Sequence, residues 1–223
     1  MNRPVIWILF IAVCLAMASN QTKRAETTAP AKTPASVQAE LTARSADDKP
    51  VLQTTTAPGN RNLTMIGDSL TVGTNSYVLK STHGFNWNLD GKSGRTLKEA
   101  KPLIAAAAPK TDVFVIALGT NDCASPVTDS ELERRIFTAM SATDGLPTSF
   151  VTLGERGKIA ECATRFNKLV RSIAATIPTM TVLDWQTYLG DRINVYEQDD
   201  IHLTADGYRE RAGWFLSYFH TGA

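Results

Sequence analysis

Six consecutive apolar residues, Val113-Phe114-Val115-Ile116-Ala117-Leu118, constrain this chain more than any other stretch. A strand with one face in water alternates apolar and polar side chains. A run without alternation suits a central strand covered on both faces, the environment of parallel sheets flanked by helices. The surrounding pattern agrees. Segments 63–66, 85–89, 149–153 and 180–183 read as four further strands, and helices are predicted over 69–81, 96–107, 129–142, 158–177 and 204–218. In the second of these helices Leu97, Leu103 and Ile104 are spaced for one face, and in the third Leu132, Ile136, Phe137 and Met140 are. Strands alternating with helices imply right-handed crossovers and a mostly parallel five-stranded sheet with helices on both faces. In such α/β sheets, sites form beyond the carboxyl ends of the strands.

The first 60 residues do not share this pattern. One arginine lies within Met1–Pro4, residues 5–17 are almost wholly apolar, and Ala16-Met17-Ala18 offers a small-x-small cleavage site. The apolar run falls short of the roughly 20 residues that span a bilayer as a helix. A signal peptide over 1–18, cleaved after Ala18, is expected, with an uncleaved N-terminal membrane anchor as the alternative. A lipoprotein is disfavoured, because Cys14 sits inside the apolar run and follows Val13 where a small residue is wanted. Residues 19–60, rich in Ala, Thr, Pro, Ser and Gln, carry too few large apolar side chains to offset the entropy of ordering, and read as a disordered linker. The folded domain is then 61–223. Its partners are not nucleic acids: the formal net charge is +1 and no basic cluster stands ready to displace phosphate counterions. A monomer is expected.

Gly67-Asp68-Ser69-Leu70 closes the first strand and opens the first helix. A serine in the first helical turn lies where unpaired backbone N–H groups can stabilise an oxyanion, which makes Ser69 a candidate nucleophile; an Asp-Ser pair there can equally be a helix cap. Asn121, in Gly119-Thr120-Asn121-Asp122 directly after the central run, could aim its amide at the same point, or serve only a turn. Gly94, in the loop after the second strand, could bring a backbone N–H close to a substrate oxygen, or be a turn residue. Of the three histidines, His202 alone has a carboxylate three residues before it in a loop preceding a helix. It is the candidate general base toward Ser69, with Asp199 fixing its tautomer. His83, in a polar turn, and His220, at the terminus, suit surface roles. Nothing calls for a metal or a cofactor.

In order, Gly67-Asp68-Ser69-Leu70, Gly94, Gly119-Thr120-Asn121-Asp122 and Asp199-x-x-His202 resemble the four sequence blocks of the SGNH, or GDSL, hydrolases. The resemblance implies a flavodoxin-like three-layer α/β/α fold. It also implies a Ser69–His202–Asp199 triad, and an oxyanion hole from the Ser69 and Gly94 N–H groups and the Asn121 side chain. One position departs: Asp200 stands where the family often has Gly, and a second carboxylate there could raise the His202 pKa or compete with Asp199. Ser93-Gly94-Arg95 and Leu183-Asp184-Trp185 further resemble SGNH domains attached to cell-wall O-acetyltransferases. On that resemblance Arg95 and Trp185 would lie near the pocket as substrate contacts, although core packing is the alternative for Trp185; Asp184 reads as a cap or turn residue.

With the signal removed, Cys123 and Cys162 remain, an even pair in an oxidising compartment, so a disulfide is expected, with two buried thiols as the alternative. The sequence therefore reads as a secreted serine esterase that deacylates a cell-envelope carbohydrate or lipid ester. Two alternatives stand. One is an O-acyltransferase to envelope glycan, served by a separate membrane acyl donor; the other is a non-catalytic envelope-binding module, disfavoured because every catalytic position is filled.

Overall fold

A computed structural model describes residues 51–54, 60–79 and 84–219. The expected signal peptide at 1–18, most of the expected linker at 19–60, and His83 and His220 lie outside the described residues. The strands are β1 (Val51–Thr54), β2 (Arg61–Gly67), β3 (Phe85–Gly91), β4 (Val113–Ala117), β5 (Thr148–Val151) and β6 (Met180–Leu183). The helices are α1 (Ser69–Val78), α2 (Leu97–Ala107), α3 (Asp129–Ala142), α4 (Ala160–Ala174), α5 (Trp185–Leu189) and α6 (Ala205–Phe219). Among the described residues no helix is long and apolar enough to cross a membrane.

The apolar run is the interior strand its composition demands. Every residue of β4 is buried, and the side chains divide with the two-residue period of a strand. Phe114 and Ile116 enter a core with Leu97 and Ile104 of α2, Leu132 and Ile136 of α3, and Phe166 and Val170 of α4. Val113, Val115 and Ala117 enter a second core with Leu70 and Val78 of α1, Trp185 of α5, and Trp214 and Phe215 of α6. The result is the expected three-layer α/β/α fold.

The sheet order is β1-β3-β2-β4-β5-β6, with the last five strands parallel and β1 antiparallel to β3. The sixth strand comes from within the segment expected to be linker. Val51-Leu52-Gln53-Thr54 has residues of strand propensity, and it covers the backbone edge that β3 would otherwise present to solvent. Gly67 pairs in register with Gly91 on β3 and with Ala117 on β4. The loops after these three strands therefore leave the sheet at one level, and every residue of the site is carried on that edge.

Two helix faces differ from expectation. Leu103 is 37% and Phe137 41% exposed, while Ala100 and Ala139 face the sheet. Consecutive helical residues are about 100° apart, so Leu103 beside Ile104 and Phe137 beside Ile136 turn off the buried stripe. The short helix α5 escaped the sequence pattern because five residues are too few to display a period. Its cap is legible: the Asp184 carboxylate accepts the Thr187 N–H at 3.0 Å.

Cys123 and Cys162 are joined by a disulfide with Cα atoms 5.4 Å apart, tying the loop after β4 to the first turn of α4. The cross-link spans a sequence separation of 39. For a closed loop of that size the chain-entropy estimate is about 4 kcal/mol of stabilisation. Replacing both cysteines by serine should lower the unfolding free energy by about that amount in guanidinium titration, and the wild type under reductant should shift toward the variant.

Candidate active site

The end of β2 forces the backbone into a tight strand-to-helix turn. A Cβ on Gly67 would lie 1.8 Å from Thr71 Oγ1, so only glycine fits where the strand passes beneath the helix. Asp68 then caps α1, its Oδ1 accepting the Leu70 N–H at 2.9 Å, and Ser69 is the first helical residue. The Asp-Ser pair is compatible with both roles that the sequence left open, with Asp68 as the cap and the Ser69 hydroxyl turned toward His202.

Ser69 Oγ lies 3.0 Å from His202 Nε2, and His202 Nδ1 lies 2.6 Å from Asp199 Oδ2. Asp199 uses its other oxygen to accept the N–H groups of Ile201 and His202, at 3.0 and 2.8 Å. The Tyr196–Leu203 bridge and the Glu197 N–H on the His202 carbonyl close this loop into a narrow hairpin. Burial works to raise the Asp199 carboxyl, but the His202 ring and the two N–H groups outweigh it and hold the carboxyl below its ordinary 3.8. With Asp199 accepting from Nδ1–H, Nε2 keeps its lone pair toward the Ser69 hydroxyl.

Asp200 does not compete for the ring. Its backbone is left-handed, φ 56°, the conformation that favours glycine, and its carboxylate pairs with Arg156 Nη2 at 3.3 Å. Of the two effects a carboxylate at 200 could have, competition with Asp199 is absent here: the turn that presents Asp199 to the imidazole sends the next side chain to Arg156.

The oxyanion candidates meet at the same edge. Gly94 has φ +79°, and no atom lies within 4 Å of where a Cβ would stand, so its backbone conformation rather than crowding favours glycine. Asn121 Nδ2 donates to the Arg95 carbonyl at 3.1 Å. An amide carries two N–H donors, so this bond orients the group and leaves its second donor free of it. Gly119 has φ +126° and lies against the Phe166 ring, 2.6 Å from a notional Cβ, which seats the loop on the core. Asp122 is a structural neighbour: its carboxylate takes the Leu97 N–H and Arg135, fastening α2 to α3.

Arg95 and Trp185, expected as substrate contacts, are both buried. Arg95 is 2% exposed, with its guanidinium on Gly67 O, Asp90 O and Asp90 Oδ1. Trp185 is 1% exposed and packs on Tyr188 and Trp214. The Arg95 guanidinium looks back into the fold because its donors are taken there, whereas Trp185 packs in the core and also lines the cleft beside the site. Asp184 is a cap, as read, and also receives Arg171 and Thr152.

Sequence reasoning missed most of a narrow cleft lined by the chain neighbours of the three motifs, Leu70, Thr120, Ile201 and Leu203, together with Gly154 and Tyr196; Trp185, expected near the pocket, lines it too. A Cβ on Gly154 would lie 2.1 Å from Tyr196 Oη, so this phenol fills the space beside the glycine. Burial pushes the Tyr196 hydroxyl up to about 12 and keeps it neutral. The signal available was Gly154 at the carboxyl end of β5. Also unforeseen is the buried charge beside Ser69: burial raises the Asp68 carboxyl against the opposing charge of Arg211, itself buried and lowered by desolvation.

A serine, an imidazole and a carboxylate in hydrogen-bonded series at a helix start, with N–H donors beside them, are equipped for acyl transfer. Residues 65–210 match the GDSL-like lipase/acylhydrolase family. The chain belongs to this family. No curated protein matches the chain by sequence. The fold of this GDSL protein is shared with a solved lipolytic protein of the G-D-S-L family from Veillonella parvula, at 17% identity and TM-score 0.64, covering 72% of this chain and 99% of that one. It is also similar to the C-terminal catalytic domain of a Streptococcus pneumoniae peptidoglycan O-acetyltransferase, at 19% identity and TM-score 0.59, covering 73% and 94%. A family 3 carbohydrate esterase from Clostridium thermocellum matches at 14% identity and TM-score 0.56, covering 71% and 94%.

The depressed Asp199 carboxyl gives the site a pH signature. A carboxyl lowered in the fold contributes stability above its ordinary value and loses that contribution as pH falls through the lowered value. Thermal melts should therefore show Asp199→Asn below the wild type at neutral pH, with the difference shrinking well below pH 3.8, the ordinary value. A gap that widens in acid would contradict this assignment.

Proposed function

We propose that this GDSL-family protein is a serine esterase that works through an acyl-Ser69 intermediate on short-chain esters of a cell-envelope carbohydrate. The observation that carries the reading is the pair of hydrogen bonds in series, Asp199–His202 at 2.6 Å and His202–Ser69 at 3.0 Å, at the start of α1. In the proposed reaction Ser69 Oγ attacks the ester carbonyl as its proton passes to His202 Nε2. Asp199 holds the imidazole by Nδ1–H and stabilises the imidazolium. The oxyanion receives the N–H groups of Ser69 and Gly94 and the free N–H of Asn121. Collapse expels the alcohol, which takes its proton from Nε2, and water then attacks the acyl-Ser69 carbonyl under the same base.

The carbohydrate substrate is supported by two features. The His202 and Asp199 side chains are 34% and 47% exposed, so the relay lies open to a bulky polymer rather than at the end of a tunnel. Two proteins of similar fold are a carbohydrate esterase and a peptidoglycan O-acetyltransferase domain. The short acyl group is supported by the cleft beside the motifs, narrowed by the Tyr196 phenol. The apolar leader at 1–18 and the Cys123–Cys162 bridge support an extracytoplasmic setting.

A second reading, O-acyl transfer, uses the same intermediate, with a glycan hydroxyl in place of water; the exposure of the relay favours it equally. The acyl group would then come from a separate membrane protein.

The full chain should hydrolyse nitrophenyl acetate, and Ser69→Ala should lower kcat/KM by on the order of 10³-fold or more. Equal rates for the two proteins would sink the enzyme reading. Activity should fall steeply from acetyl to hexanoyl esters. With glycan oligomers present, free acid marks the esterase and acylated sugar the transferase.

A further inference from the structure

Arg95 is an unusual residue to bury. A guanidinium at 2% exposure carries a heavy desolvation cost unless its donors are met. Here they are met by groups that all belong to the carboxyl edge of the sheet. Nη1 donates to Gly67 O at 3.2 Å and to Asp90 O at 2.7 Å, and Nη2 donates to Asp90 Oδ1 at 2.8 Å. Gly67 and Asp90 belong to the last rungs of β2 and β3, where Ile66 pairs with Asp90 and Gly67 with Gly91. The guanidinium is therefore a clamp across two strand ends rather than a filler of the core.

The bond to Gly67 O, the Arg95 N–H and the Arg95 carbonyl each reach a segment that carries one of the three oxyanion donors of the proposed reaction. Gly67 O also accepts the Lys92 N–H at 3.1 Å, so two donors fix the carbonyl that lies two residues before Ser69. Gly94 directly precedes Arg95, and its φ of +79° belongs to the turn closed by the Arg95 N–H on Lys92 O at 3.2 Å. The Arg95 carbonyl holds Asn121 Nδ2 at 3.1 Å. Side chain, N–H and C=O of one residue thus contact the segments that carry Ser69 N–H, Gly94 N–H and the Asn121 amide.

We infer that Arg95 is the positioning residue of the oxyanion site, setting the mutual placement of three donors drawn from three separate loops without itself touching the substrate. The inference rests on the acyl-Ser69 reading. Donors of this kind act only if already placed where the oxyanion forms, and removing one costs on the order of 10²–10³ in kcat. A residue that aligns three should act on kcat and leave ground-state binding nearly untouched. Lysine cannot replace it, because a single ammonium lacks the planar fork that meets Gly67 O and the Asp90 carboxylate together.

The test is steady-state kinetics on nitrophenyl acetate with Arg95→Lys and Arg95→Met, each normalised to the active fraction by titration of Ser69 with a sulfonyl fluoride. Arg95→Lys should lower kcat by about 10- to 100-fold with KM within about twofold of wild type. Affinity for a boronic acid, which mimics the tetrahedral oxyanion, should fall in proportion to kcat/KM. If Arg95→Met fails to fold, Arg95→Lys decides. Wild-type kcat per titrated site in a folded Arg95→Lys would overturn the inference, as would a loss confined to KM or to melting temperature. Ser69→Ala separates the two levels of the argument. If it retains activity, the acyl-Ser69 reading fails; if it is inactive while Arg95→Lys turns over normally, only the positioning role fails.

Discussion

Burial of β4 on both faces is the constraint from which the rest of the molecule follows. A strand whose successive side chains enter two separate cores requires helices above and below, and parallel strands require a crossover for each return. Every crossover starts at the same edge, so Ser69, the Lys92–Arg95 turn and the Asn121 loop begin level with Gly67, Gly91 and Ala117. His202 and Asp199 reach that edge from the hairpin before α6.

The edge differs from the cores beneath it in how it uses burial. The interior of β4 is wholly apolar, but next to the site lie Asp68, Arg95, Arg211 and Asp122, each nearly inaccessible to water. Buried charge weakens a fold unless it is met by partners, and two of these are met within the edge: Arg95 by Asp90, and Asp122 by Arg135 and the Leu97 N–H. The Asp68–Arg211 couple is looser: Asp68 Oδ2 and Arg211 Nε have no hydrogen-bond partner among the described residues, and burial shifts both groups toward neutrality. The fold thus concentrates its electrostatic cost under Ser69, the candidate nucleophile, where oriented dipoles and charges can act on a reaction centre.

Much of the fold was legible because its signals are local. The expected bounds of α3 and β6 match the structure, since each shows its own periodicity or run over its whole length. The relay was legible for a different reason: Ser69, Asn121 and the Asp199–His202 pair each sit in a short motif whose residue types state their chemistry. What escaped was either too short, as α5 was, or depended on a neighbour distant in sequence. β1 is a strand because β3 offers it an edge, and Leu103 is exposed because its helix presents Ala100 and Ile104 to the sheet.

By itself the sequence determined the layered α/β architecture, the candidate nucleophile, base and carboxylate, and an even pair of cysteines available to bond, because hydrophobic period and residue chemistry are written along the chain. Only the tertiary structure decided where the long polar side chains point. It gave the His202 ring to Asp199 and turned Asp200 to Arg156; it also drew the Arg95 guanidinium inward and packed Trp185 into the core at the wall of the cleft. A flexible side chain goes to the partners that meet its donors at least cost in burial. Those partners, Gly67 and Asp90 for Arg95 and Tyr188 and Trp214 for Trp185, exist as a set only once the strands are paired and the helices packed.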